Sequence, residues 1–104
     1  MIFISKSLFT VRKRKKAKHP YVIVGADKTS FSAMSITHKR RDNHRNNFPL
    51  NSNPNPKDKR KAYLKKQLIL DFKFKFSKAF NNYKITNEDA ERILKYLESK
   101  NKKK

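Results

Sequence analysis

Two imidazoles, His19 and His38, a hydroxyl on Thr37 and the cations crowded around them are the groups in this sequence that could act on a phosphodiester. Cleaving RNA without a metal takes one group to remove the ribose 2′-hydroxyl proton and another to protonate the departing 5′-oxygen. Fixed positive charge must also stabilise the charge that builds on the phosphate. Histidine suits both transfers, because an unperturbed imidazole near pKa 6.5 supplies both forms around neutrality. His19, Thr37 and His38 are therefore the candidate catalytic group: His19 as general base or acid, Thr37 as a phosphate-orienting hydroxyl, and His38 with Lys18, Lys39 and Arg40 as electrostatic partners. The plainer reading of a histidine in a basic loop is a phosphate contact.

These residues meet only if the elements between them bring them together. Tyr21-Val22-Ile23-Val24 is an apolar, β-branched run that predicts a buried strand, with turn residues over Gly25-Ala26-Asp27-Lys28. In Ser30-Phe31-Ser32-Ala33-Met34-Ser35-Ile36-Thr37 serines interleave with apolar residues, as in a half-buried antiparallel strand. An antiparallel hairpin returns the chain to the end where it began, so His19 and Thr37 should lie close together. Both basic clusters would sit around them: Arg12, Lys13, Arg14, Lys15, Lys16 and Lys18 in a loop before the first strand, and Lys39, Arg40, Arg41, His44 and Arg45 after the second. These cations are the candidate contacts to nucleic-acid phosphate, and the first cluster also reads as a nuclear localisation signal or as a solvated loop.

Residues 38–61 form a long, basic, nearly apolar-free loop in which Asn53-Pro54-Asn55-Pro56 favours extended or turn backbone. Tyr63-Leu64 and Leu68-Ile69-Leu70 predict one strand with an irregularity at Lys65-Lys66-Gln67. Phe76, Ala79, Phe80 and Tyr83 have helical spacing, so a short helix is expected over residues 77–82. Phenylalanines at strand spacing, Phe72, Phe74 and Phe76 among them, are more often core than base-stacking surface. A final helix is capped by Thr86 with Asp89 three residues on, is stapled by Ile85, and carries an Ala90, Ile93, Leu94, Leu97 stripe. Residues 1–99 are expected to form one domain and residues 100–104 a basic tail.

The chain has 104 residues, and 28 Lys plus Arg against 8 Asp plus Glu leave a net charge of +20, which favours a polyanionic partner, RNA above all. A core of this size is marginal alone, and a homodimer would help it. Cysteine is absent, the single glycine is Gly25, the acids are scattered and the histidines lack zinc-ligand spacing, so no disulfide, phosphate loop, metal or cofactor is expected. The apolar start ends at Ser5-Lys6, too short for a signal peptide, and no stretch is long enough for a membrane span, so a cytoplasmic protein is expected.

The ordered segments resemble the MazF/PemK family of endoribonuclease toxins. His19-Pro20-Tyr21-Val22-Ile23-Val24 is similar to the family's Arg-Pro-Val-Leu-Val strand, with His19 at the arginine position, and Ser35-Ile36-Thr37 is similar to its apolar-Ile-Thr strand end. Residues 61–97, including Ile69-Leu70-Asp71 and Lys84-Ile85-Thr86-Asn87-Glu88-Asp89, follow the family's order of strand, short helix and final helix. Thr37-His38-Lys39-Arg40 looks like the strand end of related type III toxins, which structured RNA holds inactive. The resemblance covers about residues 18–97. It implies a mainly β fold with short α (α+β), a small, strongly bent antiparallel Src-homology-3-like barrel with a C-terminal helix. It also implies metal-free cleavage of single-stranded RNA and an antitoxin that is an acidic protein or a structured RNA. The other reading is a non-catalytic RNA- or DNA-binding module, or a phage or mobile-element accessory or inhibitor protein on the same fold.

Overall fold

The computed structural model describes residues 2–3 and 9–102. In chain order these form β1 (Ile2–Phe3), β2 (Thr10–Lys13), β3 (Pro20–Ala26), β4 (Ser30–Thr37), β5 (Arg41–Asp42), β6 (Arg45–Asn46), β7 (Phe48–Pro49), β8 (Tyr63–Leu64), β9 (Ile69–Phe72), a 3₁₀ turn at Lys73–Lys75 and α1 (Asn87–Lys102). The fold is mostly antiparallel sheet with one C-terminal helix, an α+β arrangement. Ile4, Ser5, Lys6, Leu8 and the final Lys103-Lys104, which entered the readings of the two termini, lie outside the described residues. Among the described residues no helix is long and apolar enough to cross a membrane.

The β3–β4 hairpin organises everything else. Its turn begins two residues later than the composition suggests: Gly25 and Ala26 remain in β3, and Asp27 makes the corner, its Oδ1 accepting the Thr29 and Ser30 amides at 2.9 and 2.7 Å. Those two amides hold the Asp27 carboxyl below its ordinary pKa. Gly25 instead sits beside a bulge, since the register moves from Ile23↔Ala33 to Gly25↔Ser32 and leaves Val24 as the extra residue. One edge of β3 carries β1 and β2, and the far edge of β4 carries β8 and β9. The hairpin is covered on both faces. Val22, Val24, Met34 and Ile36 pack with Leu50, Leu64, Ile93 and Leu97, whereas Ile23 and Ala33 pack on the opposite side with Phe76. That two-sided burial explains why Tyr21-Val22-Ile23-Val24 runs apolar without alternation.

Three expectations change. Arg12 and Lys13 are not in a loop: they end β2 and pair with Tyr21 and Pro20, because Thr10 and Val11 give this segment enough apolar character to join the sheet. The expected helix over residues 77–82 does not form. The helical turn comes earlier, at Lys73–Lys75, and the chain then runs along β2, where the Ser77 and Phe80 amides donate to the Lys13 and Val11 carbonyls at 2.7 and 2.8 Å. The free edge of β2 offers those carbonyls and outcompetes local helix bonds. Residues 100–102, expected as tail, belong to α1, which continues to Lys102.

The start of α1 is as expected, with Thr86 Oγ1 accepting the Asp89 amide at 3.1 Å, and Ala90, Ile93 and Leu97 are buried. Asp89 adds something the sequence does not reveal. Its carboxylate, 1% exposed, accepts the Asn51 amide at 2.9 and 3.0 Å and the Ser52 amide at 3.2 Å, and pairs with Arg92 of the same helix at 3.1 Å. The helix start therefore clamps the long loop.

Candidate active site

Extending the Tyr21↔Ser35 register outward by two residues sets His19 opposite Thr37, as a hairpin requires. At this end of the sheet lies a cleft of about 380 Å³ whose walls include Lys18, His19, His38, Asn55, Asp58 and Arg60. The two imidazoles thus share one cleft. One wall is the hairpin end and the other is the long loop.

Beyond Leu50, which packs in the core, the loop is held largely by polar side chains. Asn53 Oδ1 accepts the Asn55 amide at 2.9 Å, Asn55 Oδ1 accepts the Lys57 amide at 3.1 Å, and Asn53 Nδ2 donates to the Arg60 carbonyl at 3.1 Å. Such Asx turns suit a stretch where prolines remove backbone donors. Pro54 is buried, and its carbonyl accepts the Lys84 amide at 2.9 Å. The result places Asp58 against His38, with Oδ2 2.9 Å from Nε2. Arg60 grips the same carboxylate through Nε to Oδ1 and Nη2 to Oδ2, each at 3.0 Å, and through its own amide. The Arg60 side chain above all, then its amide, and the contact with His38 hold the Asp58 carboxyl far below its usual range.

A carboxylate only accepts, so the His38 Nε2 beside it carries a proton. In the neutral ring the basic lone pair is then on Nδ1. Asp58 thereby fixes both the tautomer and the orientation of the imidazole, as a carboxylate partner does for a general-base histidine. Neither Asp58 nor Arg60 was singled out by sequence reasoning. One signal was present: Asp58 is the sole acid in residues 43–70.

The remaining predicted residues separate into groups. Thr37 is buried, its Oγ1 accepts the Lys39 amide at 3.1 Å, and it does not line the cleft. Its hydroxyl shapes the turn that carries His38 out of β4. His19, Lys18, Lys39 and Arg40 are exposed. Arg41 and Arg45 lie on the β5–β6 hairpin, and His44 sits at its tip beside Asn43 with positive φ at both residues, the geometry of a two-residue hairpin turn. Asn47 ties that hairpin down, its Nδ2 donating to the Lys39 carbonyl and to Asp42 Oδ2 at 2.9 and 3.0 Å. Lys15 and Lys16 line a different cleft, together with Phe74. Arg12 donates to the Ser77 carbonyl at 2.9 Å, and Lys13 presents an exposed side chain from β2.

Arg14 is committed internally. Its Nε and Nη2 each lie 2.8 Å from Asp71 Oδ2, tying β9 to the turn after β2. The Phe72 amide, then Arg14 and Lys75, hold the Asp71 carboxyl below its ordinary value. A depressed folded-state pKa contributes stability above the unfolded value, near 4, and loses it as pH falls through the folded one. Asp71→Asn is therefore expected to lower stability at pH 6 and flatten the acid dependence below about pH 4, measured by urea unfolding at both pH values. Equal losses at pH 6 and pH 3 would rule out that linkage.

No family model, curated protein or solved structure matches this chain. Among the described residues no three His, Cys, Asp or Glu side chains gather to hold a metal ion. The functional reading therefore rests on the chemistry of the cleft.

Proposed function

We propose that this chain is a metal-independent endoribonuclease of a toxin–antitoxin system, acting on single-stranded RNA and built on a Src-homology-3-like barrel of the MazF/PemK kind. The barrel reading is supported by the backbone bonds that residues 75–80 make with β2 and the turn after it, among them the Ser77 amide to the Lys13 carbonyl, the Lys15 amide to the Lys75 carbonyl at 2.9 Å and the Arg14↔Phe76 bridge. Those bonds lay residues 75–80 along the outer edge of β2.

The observation that carries the catalytic reading is the His38–Asp58–Arg60 chain facing the same cleft as His19. In the proposed reaction His38 Nδ1 takes the proton from the 2′-hydroxyl, and the resulting oxygen attacks phosphorus. The P–O5′ bond breaks, and His19 in its protonated form gives its proton to the leaving oxygen. The products are a 2′,3′-cyclic phosphate and a 5′-hydroxyl. Lys18 and the exposed edge of Arg60 stabilise the negative charge of the intermediate. The partner that restrains the activity is an antitoxin carrying negative charge, an acidic protein or a structured RNA, drawn by the +20 charge.

The test is incubation of the purified protein with single-stranded RNA in excess chelator, with product ends mapped for wild type and His19→Ala. Cleavage that survives chelation, leaves cyclic phosphate ends and is lost in the variant is expected. Salt-sensitive binding without cleavage, about a thousandfold weaker at 200 than at 50 mM salt if roughly six phosphates are contacted, would assign a binding module instead.

A further inference from the structure

The outward face of β9 and of the turn after it reverses the usual pattern. Asp71 is largely covered, whereas its neighbours Leu70, Phe72 and Phe74 are 61, 49 and 69% exposed. Phe72 and Phe74 lie nearly parallel to each other, 12° apart with centroids 5.5 Å distant. Their backbone is fixed from several directions: Asp71 Oδ1 accepts the Phe72 amide at 2.8 Å, and the Lys73 amide donates to the Thr29 carbonyl at 2.8 Å. Phe74 opens onto a cleft of about 590 Å³ walled by Arg14, Lys15, Lys16, Tyr21 and Lys75.

We propose that Phe74, with Phe72 beside it, is a stacking platform for unpaired bases of single-stranded RNA, and that Lys15, Lys16 and Lys75 hold the adjoining phosphates. An exposed aromatic pair would suit another protein equally if its surroundings were neutral or mixed. Here three lysines line the cleft and its one carboxylate, Asp71, is already bound by Arg14 and Lys75, so the rim is net positive and matches a phosphate chain, and rings of this kind accept any base because every base has a flat π-face. A duplex keeps its bases stacked on one another and offers nothing to the rings. Residues 14–19 contribute to the walls of this cleft and of the one holding His19 and His38, without sharing a lining residue. A bound strand can therefore follow one basic turn from the platform to the cleft. This binding inference goes beyond the proposed cleavage and does not depend on it.

The experiment measures affinity for a single-stranded RNA 12-mer and for a duplex of equal length, using His19→Ala protein so that cleavage plays no part. Phe72→Ser with Phe74→Ser is expected to weaken single-strand binding about tenfold or more, leave duplex binding unchanged, and keep the salt slope, since no cation is removed. Phe74→Tyr should retain the affinity. The chain has no tryptophan, so Phe74→Trp creates a single indole that can be excited apart from the tyrosines, and its emission should be quenched by poly(U). Unchanged single-strand affinity in the double variant, an equal loss for duplex, or no quenching would each overturn the platform. So would conversion of a dimer to a monomer by the double serine variant, which would assign this face to a second copy of the chain.

Discussion

Replacing His38 by alanine is expected to lower the rate of RNA cleavage by about 10² to 10⁴, the range that a positioned general base contributes, while RNA affinity changes little. Asp58→Asn tests the geometry more sharply. The Arg60 amide and Nε both donate to Oδ1 and only Nη2 donates to Oδ2, so an asparagine keeps its oxygen at the first position, forfeits the Nη2 bond and turns its NH₂ toward His38 Nε2. Nε2 must then accept, the ring proton moves to Nδ1, and the lone pair that the proposed reaction uses disappears. Asp58→Asn should therefore lose nearly as much activity as His38→Ala, with an altered pH–rate profile and a small fall in melting temperature from the Arg60 Nη2 contact it gives up. A variant that cleaves at the wild-type rate would remove His38 Nδ1 from the reaction.

Asp89→Ala is expected to destabilise the fold by about 3 kcal/mol, because it strips the Asn51 and Ser52 amides of their acceptor in a buried setting. For a domain of this size that is a fall in melting temperature on the order of 15 °C, readable by circular dichroism or calorimetry. Thr86→Ala removes only the cap at the same helix start and should cost about 1 kcal/mol. Similar losses for the two variants would show that the loop clamp contributes little beyond helix capping. The Asp89 variant should also lose cleavage at temperatures where its sheet is intact, since the wall carrying Asp58 and Arg60 is no longer anchored.

The sequence made the hairpin, its register at the His19 end and the capping of α1 legible, because each follows from nearby residues: a β-branched run, an interleaved strand, a Thr and Asp at fixed spacing. What was not legible depended on distant contacts. Asp58 reaches His38 only because Asx turns at Asn53 and Asn55 and the Asp89 clamp set the path of the loop between them. The general burial preference of phenylalanine failed at Phe72 and Phe74 for a matter of parity. Asp71 opposes Phe31 on the covered side of β9, where Arg14 and the Phe72 amide satisfy it, so its sequence neighbours must face outward. The helix expected after Phe76 was lost to hydrogen bonds with β2, a competitor that periodicity does not register.

The clamp by Asp89 has a consequence for how the molecule comes into being. A polypeptide leaves the ribosome from its N-terminus, and its parts fold in that order as they emerge. The β3–β4 hairpin, with His19 and His38 at its end, is therefore exposed early, and the loop bearing Asp58 and Arg60 follows. The carboxylate that anchors this loop belongs to α1, which emerges after every strand. Until then the growing chain holds two histidines with no fixed partner wall. If the cleft cuts RNA, the protein does not complete its reactive machinery while most of it is still being translated, and the message and ribosome that produce it are spared during that interval.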